Sequence, residues 1–187
     1  MIRRNVPHII FLIFFFLIFN HTNSSIDKWK PAINGEKIIL IRHSLAPGSG
    51  DPKGFNIEDC KTQRNLNYAG IKQSKKIGAM FKKNKIKISQ VLSSEWCRCR
   101  DTAKYAFKNY KIFPALNSTF QSPFNKNEQK QIKELKNYIK NWDGKGGNLV
   151  LVTHYVIISA VTNYAPSSGE IVITDKNFNI LSTISSN

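Results

Sequence analysis

Two unbroken apolar runs stand out from a polar, lysine-rich background: Ile38-Ile39-Leu40-Ile41 and Leu149-Val150-Leu151-Val152. Neither alternates, so each predicts a strand buried on both faces, over residues 37–43 and 148–153. Between them the period changes. Ile71, Ile77, Met80 and Phe81 predict the buried stripe of a helix that Asn67 caps and that runs to about Asn84. A short strand over Gln90 to Ser93 follows, then a helix from about Arg98 to Lys108 turning Ala103, Ala106 and Phe107 inward, then a strand over 111–116. Glu128 to Trp142 predicts an amphipathic helix with Ile132, Leu135, Ile139 and Trp142 on one face. A glycine-rich turn at 143–147, a short helix over 155–163 and two strands over 169–174 and 178–184 complete the pattern. Residues 25–36 predict a polar lead-in. Residues 44–66 carry Pro47, Gly48, Gly50, Pro52 and Gly54 and predict a long loop, of a length usually reserved for function. Residues 117–127 predict a second loop.

Strands alternating with helices predict an α/β fold of three layers, α/β/α, around a mostly parallel sheet. Ligands of such sheets bind at the carboxyl ends of the strands. His43, the Ser93–Arg98 segment and His154 all fall at that edge, so three distant segments are expected to meet in one crevice.

The N-terminus predicts an export signal over residues 1–24 and one domain over 25–187. Arg3 and Arg4 precede an apolar run of 11 residues, Ile9 to Phe19. That is short of the roughly 17–25 residues of a membrane-spanning helix and suits a signal peptide. Thr22 and Ser24 are small residues spaced for cleavage after Ser24. The expected location is therefore the periplasm or the exterior. An oxidising compartment favours a disulfide. Of the three cysteines, Cys97 and Cys99 are too close to pair without strain, so the expected bridge joins Cys60 to Cys97 or Cys99. A zinc site from Cys97, Cys99 and a histidine is disfavoured, and no metal or cofactor is expected.

The formal charge is +16, or +14 once Arg3 and Arg4 are removed. Such a charge attracts phosphorylated small molecules or a weakly held anionic membrane surface. Nucleic acid is disfavoured, because the lysines are scattered and no aromatic-basic array accompanies them. The oligomeric state is open. Scarcity is the sharper signal. Beyond residue 24 the histidines are His43 and His154, and the arginines are Arg42, Arg64, Arg98 and Arg100 against 22 lysines. Arginine persists where a planar fork is required. Two histidines and two or more arginines at strand ends predict a phosphate site with a histidine nucleophile.

The motifs carry a resemblance. Leu40-Ile41-Arg42-His43-Ser44 resembles the Arg-His-Gly box of the histidine phosphatase (phosphoglycerate mutase-like) superfamily. Leu66-x-x-x-Gly70-x-x-Gln73-Ser74 is similar to the start of its first helix. Ser93 to Ala103 resembles its Ser-Ser-x-x-x-Arg-x-x-x-Thr-Ala segment, and Val152-Thr153-His154 its second histidine box. The resemblance implies that His43 attacks phosphorus and forms a phosphohistidine that water hydrolyses. Arg42 and Arg98 would clamp the phosphoryl oxygens, with free N–H groups of the helix that Arg98 opens assisting. His154 would donate to the remaining oxygen, and Arg64 could line the pocket.

The chain departs from the superfamily pattern in two places. Ser44 stands where the box has glycine. The carboxylate often found after the second arginine or after the second histidine is missing: 114–124 holds none, and Tyr155 follows His154. Asp51 is the first choice for a general acid, with Glu58, Asp59 and Glu95 as alternatives. Otherwise the leaving group needs little protonation, as in a phosphoramidate. The reading is an exported phosphatase acting on phosphomonoesters. A phosphatase of phosphohistidine or of envelope phosphosugars is the enzymic alternative. An inactive phosphate- or lipid-binding module is the non-enzymic one.

Overall fold

The computed structural model describes the backbone of residues 23–187 and the side chains from Lys28 onward. The expected export signal lies outside the described residues. Six strands form one sheet in the order β3-β2-β4-β1-β5-β6. β1 (Ile38–Arg42), β2 (Ile88–Ser93), β3 (Lys111–Ile112) and β4 (Asn148–Thr153) run parallel, while β5 (Ile171–Thr174) and β6 (Ile180–Ile184) add on antiparallel. The result is a three-layer α/β/α fold. The two uninterrupted apolar runs become neighbours at the centre, with Ile38 opposite Leu149 and Arg42 opposite Thr153.

Successive side chains leave a strand on opposite faces, and each face has its own core. Ile39, Ile41, Val150 and Val152 meet Trp29, Ile77, Phe81, Trp96 and Ala103 on one side. These come from α1 (Asn23–Ile33), α2 (Tyr68–Lys83), α3 (Cys97–Phe107) and the residue before α3. Ile38, Leu40, Leu149 and Leu151 meet Leu135, Ile139 and Ile157 on the other, from α4 (Glu128–Asn141) and α5 (Tyr155–Thr162).

Two elements differ from expectation. The lead-in is the helix α1: Trp29 and Ala32, three residues apart on one helical face, are both buried, and Trp29 packs edge-on against Phe81 at 5.0 Å. Pro31, inside that helix, masks the pattern in the sequence. The strand over 111–116 stops at Ile112, and Pro114, which has no N–H for a ladder, opens a short 3-10 turn instead.

Helix α2 explains the spacing of its motif. A Cβ at Gly70 would stand 2.1 Å from the Leu45 carbonyl oxygen, so only glycine lets the helix approach the chain leaving β1. One turn on, Gln73 Oε1 accepts the Leu45 N–H at 2.9 Å and Ser74 Oγ donates to Ser44 Oγ at 2.8 Å. Asn67 caps the helix, its side chain accepting from the Gly70 N–H. The motif thus anchors the turn that follows His43.

Candidate active site

The carboxyl ends of β1, β2 and β4 lie side by side, and each continues into a functional residue. The ladder runs past the strands: the His43 N–H donates to the Thr153 carbonyl at 2.9 Å and the Ser94 N–H to that of Val152 at 3.1 Å. His43 and His154 are therefore brought together, their ring centroids 5.4 Å apart and both side chains buried. Between them opens a cavity of about 70 Å³ lined by Arg42, His43, Asp51, Arg64, Arg98 and His154, with Phe120 and Tyr155 among the residues of its mouth. At about 10–15 Å³ per water-sized group it takes roughly five to seven, the size of a phosphoryl group and the atom that carries it. A roomier hollow of about 450 Å³ beside Leu45, Lys72 and Lys76 holds no nucleophile and lies apart from both histidines.

His43 Nδ1 lies 2.8 Å from the Ser44 carbonyl oxygen. A carbonyl only accepts, so this contact assigns the proton to Nδ1 and leaves the Nε2 lone pair free. Burial, then the charge of Arg98, holds the His43 pKa well below the ordinary histidine value, and the Ser44 carbonyl opposes them only in part. The ring is thus held neutral, with its lone pair on Nε2. Ser44 is fully buried; its N–H donates to Thr102 Oγ1 at 2.9 Å, and its hydroxyl is satisfied by Ser74. A serine fits where the superfamily box has glycine because the Ser74 hydroxyl of α2 partners its side chain.

His154 is oriented by a chain of polar side chains. Its Nε2 lies 3.0 Å from Ser94 Oγ, Ser94 donates to Asn117 Oδ1 at 3.1 Å, and the Asn117 amide donates to Glu95 Oε2. Because the Ser94 hydroxyl spends its proton on Asn117, its oxygen accepts from His154 Nε2–H. That leaves Nδ1 as the ring nitrogen without a protein partner among the described residues. Burial, followed by Arg98 and His43, also holds the His154 pKa well below the ordinary value.

Three guanidiniums face this neutral pair. Arg42 donates from Nη1 to the Pro166 carbonyl at 2.8 Å and lies over the Tyr155 ring, 5.1 Å from its centre. Arg64 is pinned to the carbonyls of Gly50, at 2.7 Å, and Ala46. Arg98 donates from Nη1 to Asp51 Oδ1 at 2.8 Å, a pair with side chains 3% and 2% exposed. The Nε atoms of Arg42 and Arg98 are buried without a partner among the described residues. Two orphaned buried donors are costly unless something accepts from them. The pKa of Arg64 is lowered by burial and then by Arg98, and that of Arg42 by burial and by Arg98 against the opposing effect of Tyr155. A bound anion relieves all of these effects together. The start of α3 is partly filled by protein, since the Cys97 N–H donates to Gln63 Oε1 at 3.0 Å. The Arg98 guanidinium, rather than that N–H, is the cationic group α3 presents to the cavity.

Asp51 reaches the cavity, but as an engaged carboxylate. It accepts from Arg98, from Trp96 Nε1 at 2.9 Å and from the Arg64 N–H at 3.0 Å. Burial pushes its pKa up, yet the Arg98 bond and charge and the two N–H groups outweigh it and hold the carboxyl below the usual range. Such a group has no proton to give at neutral pH, so the arrangement fits a residue that positions Arg98. The alternatives stand elsewhere. Glu58 and Asp59 are exposed, Asp59 capping a 3-10 turn, and Glu95 is turned onto Asn117. Arg100 does not line the cavity.

Cys60 is bonded to Cys97, with Cα atoms 5.7 Å apart, and Cys99 is a buried thiol. Cys97 is thereby unavailable as a thiolate ligand for zinc. Burial pushes the Cys99 thiol up to about 12, and its Sγ lies 3.4 Å from His154 Nε2. Sequence reasoning missed Asn117, Gln63, Gln121 and Phe120. They sit in aperiodic loops, and the contacts that tie them to the site, Asn117 to Ser94, Gln63 to Cys97 and Gln121 to Asp51, span 23 to 70 residues.

No family model matches the chain, and no curated protein matches it in sequence. Solved structures do. One is the protein histidine phosphatase SixA complexed with tungstate, at 13% identity and TM-score 0.54, covering 80% of this chain and 97% of that one. A phosphoserine phosphatase variant from Entamoeba histolytica in complex with phosphoserine matches at 16% identity and TM-score 0.57, covering 81% and 98%. A phosphoglycerate mutase from Thermus thermophilus matches at 14% and 0.53, covering 80% and 98%. At such identities the likeness is one of architecture: the chain has a phosphoglycerate mutase-like fold.

Proposed function

We propose that the chain is a phosphatase that passes a phosphoryl group through His43. The observation that carries this is the orientation of His43, with Nδ1–H held by the Ser44 carbonyl and Nε2 free beside Arg42, Arg64 and Arg98. His43 Nε2 attacks phosphorus while the guanidiniums take up the charge spread over the equatorial oxygens. His154, neutral with its Nε2–H on Ser94, lines the same cavity with its Nδ1 lone pair unprotonated. Water then attacks the phosphohistidine, releasing phosphate and the neutral ring. No step requires a metal.

Export accompanies this reading. The N-terminal pattern motivates it, and the Cys60–Cys97 bridge supports it, since such bridges persist in oxidising compartments. A mature terminus near Ser25 in an extracytoplasmic fraction is expected, and an intact Met1 terminus in the cytoplasm would contradict it.

Assay of the purified mature chain against a panel of phosphomonoesters, with His43→Ala beside it, tests the proposal. Turnover should vanish in the variant while its fold persists, and rapid quenching of the wild type should trap an acid-labile phosphoenzyme. Near wild-type turnover by His43→Ala would overturn the mechanism.

A further inference from the structure

Resting on the phosphatase reading, we propose that this site serves a phosphoryl group carried on a planar ring, whose leaving atom departs without a proton from the enzyme. A phenolic monoester is the simplest such substrate.

Two independent observations converge on this class. The first concerns protons. Asp51 is the carboxylate that lines the cavity, and Arg98, Trp96 and Arg64 already occupy its oxygens. Tyr155, directly after the second histidine, lies beneath the Arg42 guanidinium. A site whose lining carboxylate is spent in this way forfeits roughly 10²–10⁴-fold on a basic leaving group. An aryl oxide, which spreads its charge over the ring, does not need that help.

The second concerns shape. The cavity opens past Phe120, whose side chain is 46% exposed although it is a large apolar group. Its ring centre is 6.0 Å from that of Tyr155. The Phe120 segment is held in place rather than loose: Gln121 Oε1 accepts the Asp51 N–H at 2.8 Å. Gly48, Ser49 and Gly50 line the same cavity, and Gly50 lies against the edge of the Phe120 ring, where a Cβ would stand 3.7 Å from Cε1. An exposed aromatic shelf beside a phosphate-sized cavity accepts a flat group by stacking.

In the reaction the His43 Nε2–P bond forms as the P–O bond to the ring breaks. The electron pair leaves on the aryl oxygen, which takes its proton from water outside the site. Water then attacks phosphorus, the N–P pair returns to Nε2, and inorganic phosphate leaves with the water oxygen.

Phenyl phosphate and cyclohexyl phosphate, equal in ring size, separate the possibilities. The expected preference in kcat/KM for phenyl is roughly 10²–10⁴-fold, and kcat/KM should climb steeply along a series of ring-substituted phenyl phosphates as the phenol becomes less basic. A further arm reads binding alone. Phe120→Ala should weaken competitive inhibition by phenylphosphonate roughly 2- to 12-fold, as expected for one aromatic pair, and leave inhibition by methylphosphonate unchanged. Equal turnover of the phenyl and cyclohexyl esters by His43-dependent enzyme would overturn the proposal, as would a Phe120→Ala variant that binds both phosphonates as the wild type does. Loss of all turnover, or turnover that survives His43→Ala, would instead defeat the phosphatase reading, and the phosphonate arm would still judge the shelf.

Discussion

Asp51→Asn separates two roles for the most engaged carboxylate of the site. The substitution keeps the shape and removes the charge. In the wild type Asp51 accepts three hydrogen bonds, from Arg98, Trp96 and Arg64, and the Arg98 pair is 2.8 Å long and almost fully buried. An Asn oxygen can keep the Arg98 and Arg64 bonds, but its amide nitrogen then meets the Trp96 N–H donor head-on. Removing one partner of a buried pair costs about 3–5 kcal/mol, because the other charge stays buried and uncompensated. At roughly 2–4 °C per kcal/mol for a chain of this size, Tm should fall by about 10 °C in phosphate-free buffer. Saturating orthophosphate should then stabilise the variant more than the wild type, since the anion replaces the missing charge; each tenfold tightening adds about 1.4 kcal/mol. Thermal melts with and without phosphate read both quantities. A Tm within about 2 °C of wild type, or equal phosphate responses, would refute the reasoning. Kinetics discriminate further. Positioning of Arg98 predicts a loss of kcat/KM that is alike for good and poor leaving groups. A loss confined to basic leaving groups would mark Asp51 as the proton donor after all.

Three further outcomes are expected. Arg98→Lys should lower kcat/KM by at least about tenfold despite keeping the charge, because an ammonium cannot offer the planar fork; steady-state kinetics equal to wild type would place Arg98 outside the reaction. Reduction of the Cys60–Cys97 bridge, which spans a sequence separation of 37, should cost roughly 3–4 kcal/mol by the chain-entropy account and raise KM, and urea titrations with and without dithiothreitol would show no difference if the loop were held by other contacts. His43 and His154 are held neutral in the fold while the unfolded chain protonates them near 6.5, so the unfolded state binds more protons below that pH. Stability should therefore fall as pH drops below about 6.5, by up to roughly 1.4 kcal/mol per pH unit for each histidine, and a flat chemical-denaturation profile between pH 7 and 5 would contradict the neutral assignment.

The central strands, their pairing edge and the two histidines at it are legible in the sequence because a strand buried on both faces leaves an uninterrupted apolar run that few other elements mimic. The Gly70, Gln73 and Ser74 spacing is legible as a motif, but its cause is not: the close approach to Leu45 exists only once α2 packs. Helix α1 escapes the pattern because Pro31 and a polar exterior hide two buried positions. β3 is overextended in the sequence reading because Phe113 and Leu116 resemble strand residues, while Pro114 ends the ladder. The fate of Asp51 is illegible for a different reason. Its partner Arg98 lies 47 residues away in another element, and charge pairing across a fold leaves no periodic trace. Asn117, which passes the Ser94 contact on to Glu95, sits in a loop with no pattern at all.

The charge count at the cavity follows from these placements. Arg42, Arg64 and Arg98 bring three positive charges and Asp51 one negative, while both histidines are held neutral, so the wall carries a net +2. On the proposed mechanism a phosphoryl dianion matches that balance, and so would the phosphohistidine that follows, since transfer to neutral His43 Nε2 would leave the phosphoryl charge within the same arginines. Without Asp51 the wall would hold +3 and retain the product phosphate more tightly. A protonated His43 would add a further charge and lose its lone pair. The buried carboxylate and the neutral imidazoles therefore serve one end, a field strong enough to hold a dianion and balanced enough to release it.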